Sequence, residues 1–302
     1  MSHAPSTGPG RAWAGRLGLL LAGLVVGGLV FLVALQVRAG TQPGATEAAV
    51  SAERPDPTPD PSTVPPEPDS ATDDAGAAHD PPAPLDGLRV AIDPGHDGGN
   101  ADHPLTINAP VSDGRGGTKA CNTVGTSTDG GYPEHAFAWD VSSRLAEELA
   151  DLGATAVLTR PDDVGVGPCV DARGRFPQEH DTDVLVSVHA NGTEDRAAHG
   201  FFVIVSDPPA HVAQGEPSLA LAEELVDALT GAGFTPSATY DGAISRRSDL
   251  ATLNHSERPV VMLELGEMRN PDEGALMETE GGRQRYAEAV VDGLVAWAAS
   301  DG

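Results

Sequence analysis

Three strand-like stretches, Leu88–Asp93, Asp183–His189 and Val260–Leu265, are built almost wholly of apolar residues and place chemistry only at their ends. The first runs into the turn Pro94-Gly95-His96, the second stops at His189, and the third carries Glu264. A strand with no polar alternation must be covered on both faces, so these runs belong to the interior of a layered α/β sheet. Polar side chains at their C-terminal ends then collect along one sheet edge, where open α/β sheets bind their ligands.

The intervening segments fit that architecture. Strands are also predicted over 154–158 and 201–205. Phe137, Val141, Leu145 and Leu149 recur every four residues and predict a helix over 134–152, stopped by Gly153. Further helices are predicted over 170–179, over 217–229 with Leu221, Leu225 and Leu229 in register, and over 280–299 with Tyr286, Val290, Leu294 and Trp297 on one face. The alternation predicts an α/β domain with a mainly parallel or mixed central sheet and helices on both faces. Residues 99–132 are rich in Gly, Asp and Asn and lack apolar periodicity. They read as a loop or small hairpin over the sheet edge, and a loop of this length in a compact domain is usually functional.

The domain occupies only part of the 302 residues. From Leu17 to Leu35 only glycines interrupt the apolar run, and about 20 helical residues span about 30 Å, the thickness of a bilayer core. Arg11 and Arg16 before the run place the N-terminus in the cytoplasm and the bulk of the chain outside. The run is longer than the apolar core of a signal peptide, and Val37-Arg38-Ala39 is a poor cleavage site. An uncleaved anchor is therefore expected, with secretion after cleavage as the alternative. The following Pro-, Ala- and acid-rich segment cannot bury enough apolar surface to offset its ordering entropy and reads as a disordered tether. The expected organisation is a cytoplasmic segment over 1–16, a transmembrane anchor over 17–37, a linker over 38–86 and a single catalytic domain over 87–302. The net charge of −27 argues against nucleic acid as a partner. Cys121 and Cys169, outside the membrane, are expected to be oxidised to each other.

A lone histidine after a strand is more often structural, but two at one sheet edge can converge on one ion. Glu134 opens a helix whose start faces that same edge. It is either a favourable charge at a helix N-terminus or a third ligand. His96, Glu134 and His189 would make an open zinc site, because three protein ligands leave a fourth position for water. His135 points about 100° away from Glu134 on a helix and is not expected to share its metal. Glu264, costly in apolar surroundings unless given a task, is the candidate catalytic base beside such a site. Glu267 is the competing base, expected to be solvated in the turn before Asn270-Pro271. Asn191, just beyond His189, is a candidate substrate contact. His103, His180, His199, His211 and His255 read as surface residues, with His199 a possible edge of the cleft.

These segments resemble the zinc-dependent N-acetylmuramoyl-L-alanine amidases of the amidase-3 type. The correspondence runs through Asp93-Pro94-Gly95-His96-Asp97-Gly98, Glu134, Ser187-Val188-His189-Ala190-Asn191, and Glu264-Leu265-Gly266 with Asn270-Pro271. Actinobacterial members resemble the chain further in the stretches around Cys121 and Cys169. Glu267-Met268 departs from the aromatic residue that many members carry after the glycine. The resemblance implies one Zn²⁺ held by His96, Glu134 and His189, with Glu264 catalytic. It also implies peptidoglycan as substrate, cleaved between the lactyl group of muramic acid and L-alanine, in cell-wall remodelling or daughter-cell separation. The residues alone support metal-assisted amide or ester hydrolysis. A zinc peptidase acting on the stem peptide and a catalytically silent wall-binding regulator are the competing readings, and no protein activator is identified.

Overall fold

The computed structural model describes residues 83–300. The cytoplasmic segment, the anchor and nearly all of the tether expected from the sequence lie outside these. Among the described residues no helix is long and apolar enough to cross a membrane.

The strands are β1 (Arg89–Pro94), β2 (Pro110–Ser112), β3 (Thr118–Ala120), β4 (Thr155–Leu158), β5 (Val184–Asn191), β6 (Phe202–Ser206), β7 (Ile244–Arg247) and β8 (Val260–Glu267). The helices are α1 (Pro104–Ile107), α2 (Glu134–Asp151), α3 (Val170–Glu179), α4 (Glu216–Gly231), α5 (Ala251–Asn254), α6 (Pro271–Met277) and α7 (Glu280–Ser300). Six strands form one sheet in the order β4-β1-β5-β8-β6-β7. It is mixed: β6 runs antiparallel to β8, and the other pairs are parallel. The exception has a local cause. About ten residues join β5 to β6, too few for the helical crossover that a parallel return requires.

The apolar stripes read from the sequence are the packing surfaces. Phe137, Val141, Leu145 and Leu149 of α2 are fully buried, as are Leu221, Leu225 and Leu229 of α4. Each such side chain contributes about 1.5–3 kcal/mol when buried. The crossovers β1–α2–β4 and β4–α3–β5 travel in opposite directions along the sheet. Right-handedness therefore puts α2 and α3 on opposite faces. Helix α7 packs between α2 and α4, and α3 packs against α5.

Two features place the site. From β1 the chain leads toward β4, and from β5 it leads toward β6, so adjacent strands send their connections to opposite sides. That divergence opens a crevice at their C-terminal ends. Helix α2 returns along the sheet, so its first residue lies at the same edge. The long polar segment folds as a β2–β3 hairpin, as one of the two sequence readings had it, with Val111 opposite Lys119. Arg115 at its tip donates to Asn254 Oδ1 at 3.0 Å and Ser206 Oγ at 2.9 Å. Strand β8 extends through Glu267, beyond the sequence estimate, while β7, α5 and α6 lie in segments too short or polar to show periodicity.

Candidate metal centre

His96, Glu134 and His189 meet at the crevice, with one ligand atom from each lying within 4.8 Å of the others. Glu134 Oε1 is 3.0 Å from His96 Nε2 and 2.9 Å from His189 Nδ1. The convergence depends on close backbone approach. A Cβ at Gly95 would fall 2.3 Å from the His189 ring, and one at Gly125 would fall 2.9 Å from both Glu134 Oε2 and His96 Cδ2. His96 itself adopts a φ of 59°, the left-handed region that a non-glycine residue occupies only when its surroundings impose it.

The donor set fits a zinc-type cation. His96 Nδ1 lies 3.1 Å from the Thr123 carbonyl, to which it donates its proton, so Nε2 is the nitrogen that faces Glu134 and would take an ion. Glu134 Oε2 accepts from the Thr126 amide at 2.9 Å, leaving Oε1 between the two imidazoles. Burial opposes ionisation of Glu134, but His96 and His189 outweigh it and hold the carboxyl below its usual range. Two imidazole nitrogens and one ionised carboxylate, all turned to one point and backed by fixed hydrogen bonds, form an open three-ligand site.

Beneath these ligands lies a support that the sequence did not reveal. Asp93 accepts from Arg173 Nη1, Thr159 Oγ1 and Ser187 Oγ, each at 2.6 Å. Burial would raise its pKa, yet Arg173 and the two hydroxyls hold it lowered. Arg173 also donates to the carbonyls of Pro94 and His96, both at 2.6 Å. From the other side Arg160 donates to Pro94 O at 3.0 Å and His135 O at 2.9 Å. The two buried guanidiniums clamp the turn that presents His96. The available cue was weak: Arg160 follows the predicted 154–158 strand at the same sheet edge.

Glu264 stands opposite His189 in the β5–β8 register. Its Oε2 is enclosed and has no hydrogen-bond partner among the described residues. Burial first, then the charges of Glu134 and Glu267, push its carboxyl well above the usual range. Glu267 corrects the sequence reading. It is 5 % exposed, at the end of β8, where Asn191 Nδ2 donates to it at 2.5 Å and the Thr193 amide at 3.2 Å. A continuation of β8 past Gly266, with a bulge that pairs Glu267 with Asn191, carries it inward. Asn191 lines the cleft, with its amide nitrogen committed to Glu267.

The cleft has a volume of about 510 Å³ and contains all three ligands, Glu264, Asn191 and the wall Lys119–Thr126. His135 lies outside it, as the helical geometry predicted, and is paired with Asp163 at 2.8 Å, a partner the sequence did not indicate. His199 is exposed, bonded to Ala197 O, and does not line the cleft. Cys121 and Cys169 form a disulfide, joining the wall to the start of α3.

Comparison with known proteins agrees with the site. Residues 90–296 match the Amidase_3 family, described as N-acetylmuramoyl-L-alanine amidase. The N-acetylmuramoyl-L-alanine amidase Rv3717 of Mycobacterium tuberculosis is 42% identical over 235 residues, covering 77% of this chain and 95% of the relative. Among solved structures, the amidase Ami1 of Mycobacterium abscessus is 45% identical with a TM-score of 0.68, over 70% of this chain and 99% of that one. Ami1 of Mycobacterium smegmatis is 40% identical with a TM-score of 0.69, over 72% and 99% of the respective chains. The order of the motifs, the converging donor set and these relatives together place the chain in the Amidase_3 family of N-acetylmuramoyl-L-alanine amidases, to which it belongs.

Proposed function

We propose that this amidase hydrolyses the amide between the muramoyl lactyl group and L-alanine of peptidoglycan with one zinc ion held by His96, Glu134 and His189 and with Glu264 transferring the proton. A zinc ion bound there supplies a Lewis acid that polarises the amide carbonyl and acidifies water. The chain's residues supply the rest. Glu264, beside His189, takes a proton from the attacking water and delivers it to the alanine nitrogen as the C–N bond breaks. A carboxyl pushed upward by burial is suited to both halves of that transfer. The hydroxyl remains on the lactyl carbonyl carbon, so the products are a free carboxylate and a free amine. Asn191, with Nδ2 committed to Glu267, would meet substrate through its Oδ1.

The observation that carries this reading is the enclosed, unpartnered Glu264 Oε2 beside a converged His–Glu–His set. The apolar run Leu17–Leu35 and its flanking arginines support a single-pass anchor, with the catalytic domain outside the membrane on a tether ending near residue 86. Mass spectrometry of digested muropeptides tests the bond assignment. Release of peptides with a free L-alanine amine is expected. Cleavage within the stem peptide would make the chain a peptidase instead.

A further inference from the structure

Two cations line the cleft among the described residues, Arg173 and Lys119. They differ in what they have left to offer. The donors of Arg173 are committed to Asp93 and to the carbonyls of Pro94, His96, Gly167 and Pro168. Lys119, on β3, makes one hydrogen bond, from Nζ to the Asp249 carbonyl at 2.7 Å. An ammonium has three donors. The Asp249 carboxylate is taken by Arg247, at 2.9 and 2.6 Å. Among the described residues Lys119 makes no ion pair, although the Asp249 and Asp113 carboxylates stand near enough to attract it. A half-buried lysine with two spare donors thus lines the same cleft as Glu134 and Glu264.

Resting on the amidase reading above, we propose that Lys119 determines specificity by receiving a free carboxylate of the stem peptide. The chemistry of the substrate fixes the side. In an uncleaved muramoyl peptide the lactyl carboxyl is tied up in the scissile amide, so free carboxylates occur on the peptide. Any such carboxylate entering the cleft gives up water and needs hydrogen-bond donors in its place, and Lys119 has donors to spare. Lys119 marks the end of the cleft where the leaving peptide is held. The Gly-Gly-Thr-Lys run at 116–119, which the catalytic assignment leaves without a role, is then the arm that delivers this cation. The Asp249 carbonyl fixes its direction.

The carboxylate has two possible sources, the side chain of the residue after L-alanine or the peptide's terminus. A set of N-acetylmuramoyl dipeptides with an acidic second residue distinguishes them: the diacid, and each of the two singly amidated forms. kcat/KM is measured for the zinc-loaded parent, Lys119→Gln and Lys119→Arg. In the parent, one amidation should lower kcat/KM about tenfold, the order of one charge-assisted hydrogen bond. The amidation that does so names the source. In Lys119→Gln the ratio between acid and amide should fall to near one, and Lys119→Arg should restore it. The proposal is overturned if neither amidation slows the parent. It is equally overturned if Lys119→Gln loses rate on all substrates with the ratio intact, which would mean a hairpin tie and nothing more. Failure to release the alanine amine from any substrate would instead overturn the amidase reading itself.

Discussion

The floor of the cleft and its wall are held in place by different means. The floor, Asp93–His96 and Ser187–His189, lies at the ends of two adjacent buried strands and is clamped by Arg160 and Arg173. The wall, Lys119–Thr126, has no strand in the main sheet. It rests on a three-residue hairpin strand, on Asn122 donating to Pro168 O at 2.8 Å, and on the disulfide to Cys169. Wall and floor meet at the Thr123 carbonyl, which orients the His96 ring. The metal ligands therefore draw their geometry from the folding core, and the substrate-facing surface draws its geometry from a covalent tie. Loss of a floor group should remove the site, whereas loss of a wall tie should loosen the site and leave it standing.

The largest effect is expected in the floor. His189→Ala removes one of three ligands and should abolish both zinc retention and muropeptide cleavage. Full zinc occupancy by elemental analysis in that variant would break the assignment. Arg173→Met comes next. It leaves Asp93 as a buried carboxylate without its cation, a loss of about 3–5 kcal/mol in urea unfolding. That penalty has a pH signature. In the parent, Asp93 has a lowered pKa, so its stabilisation is complete above the ordinary value of 3.8 and is lost as pH falls through the lower folded value. In the variant, burial acts unopposed by Arg173, and protonation relieves it. The stability gap should narrow as pH falls through the variant's folded pKa, which loss of Arg173 raises, and on through the parent's lowered one. A gap independent of pH would mean that Arg173 acts through packing alone.

The wall should give less. The Cys121→Ser/Cys169→Ser double variant opens a loop of about 49 residues, for which the chain-entropy model gives about 4 kcal/mol and measured cases commonly give about 2–4 kcal/mol. Its folded fraction should still bind one zinc, more weakly, since all three ligands stand on the sheet edge and α2 while the wall's Thr123 and Thr126 only orient two of them. Loss of zinc from a protein whose far-UV and near-UV spectra remain native would erase the distinction between floor and wall.

The ligands were legible in the sequence because strand ends and a helix start have a period and a stop. His96, His189 and Glu134 each mark such a boundary, and Glu264 stands in an apolar run where an acidic residue is conspicuous. The α2, α4 and α7 stripes were legible for the same reason. What stayed hidden depends on contacts between residues far apart in sequence. Arg173 reaches Asp93 across 80 positions, and Arg160 reaches Pro94 across 66. No local pattern distinguishes such an arginine from one on a solvated face. Glu267 was misplaced because its burial depends on Asn191 and Thr193 closing over it, a tertiary effect beyond the strand's own sequence.

The proton transfer proposed for Glu264 is tested most directly by Glu264→Gln. The substitution keeps size and hydrogen bonding, removes the carboxylate, and touches none of the three ligands. Zinc content by elemental analysis should stay at one per chain, while the rate of muropeptide cleavage should fall on the order of 10²–10⁴-fold, the usual loss when a general base is removed. A zinc-replete Glu264→Gln protein with near-parental turnover would contradict the mechanism and move the proton transfer to another group.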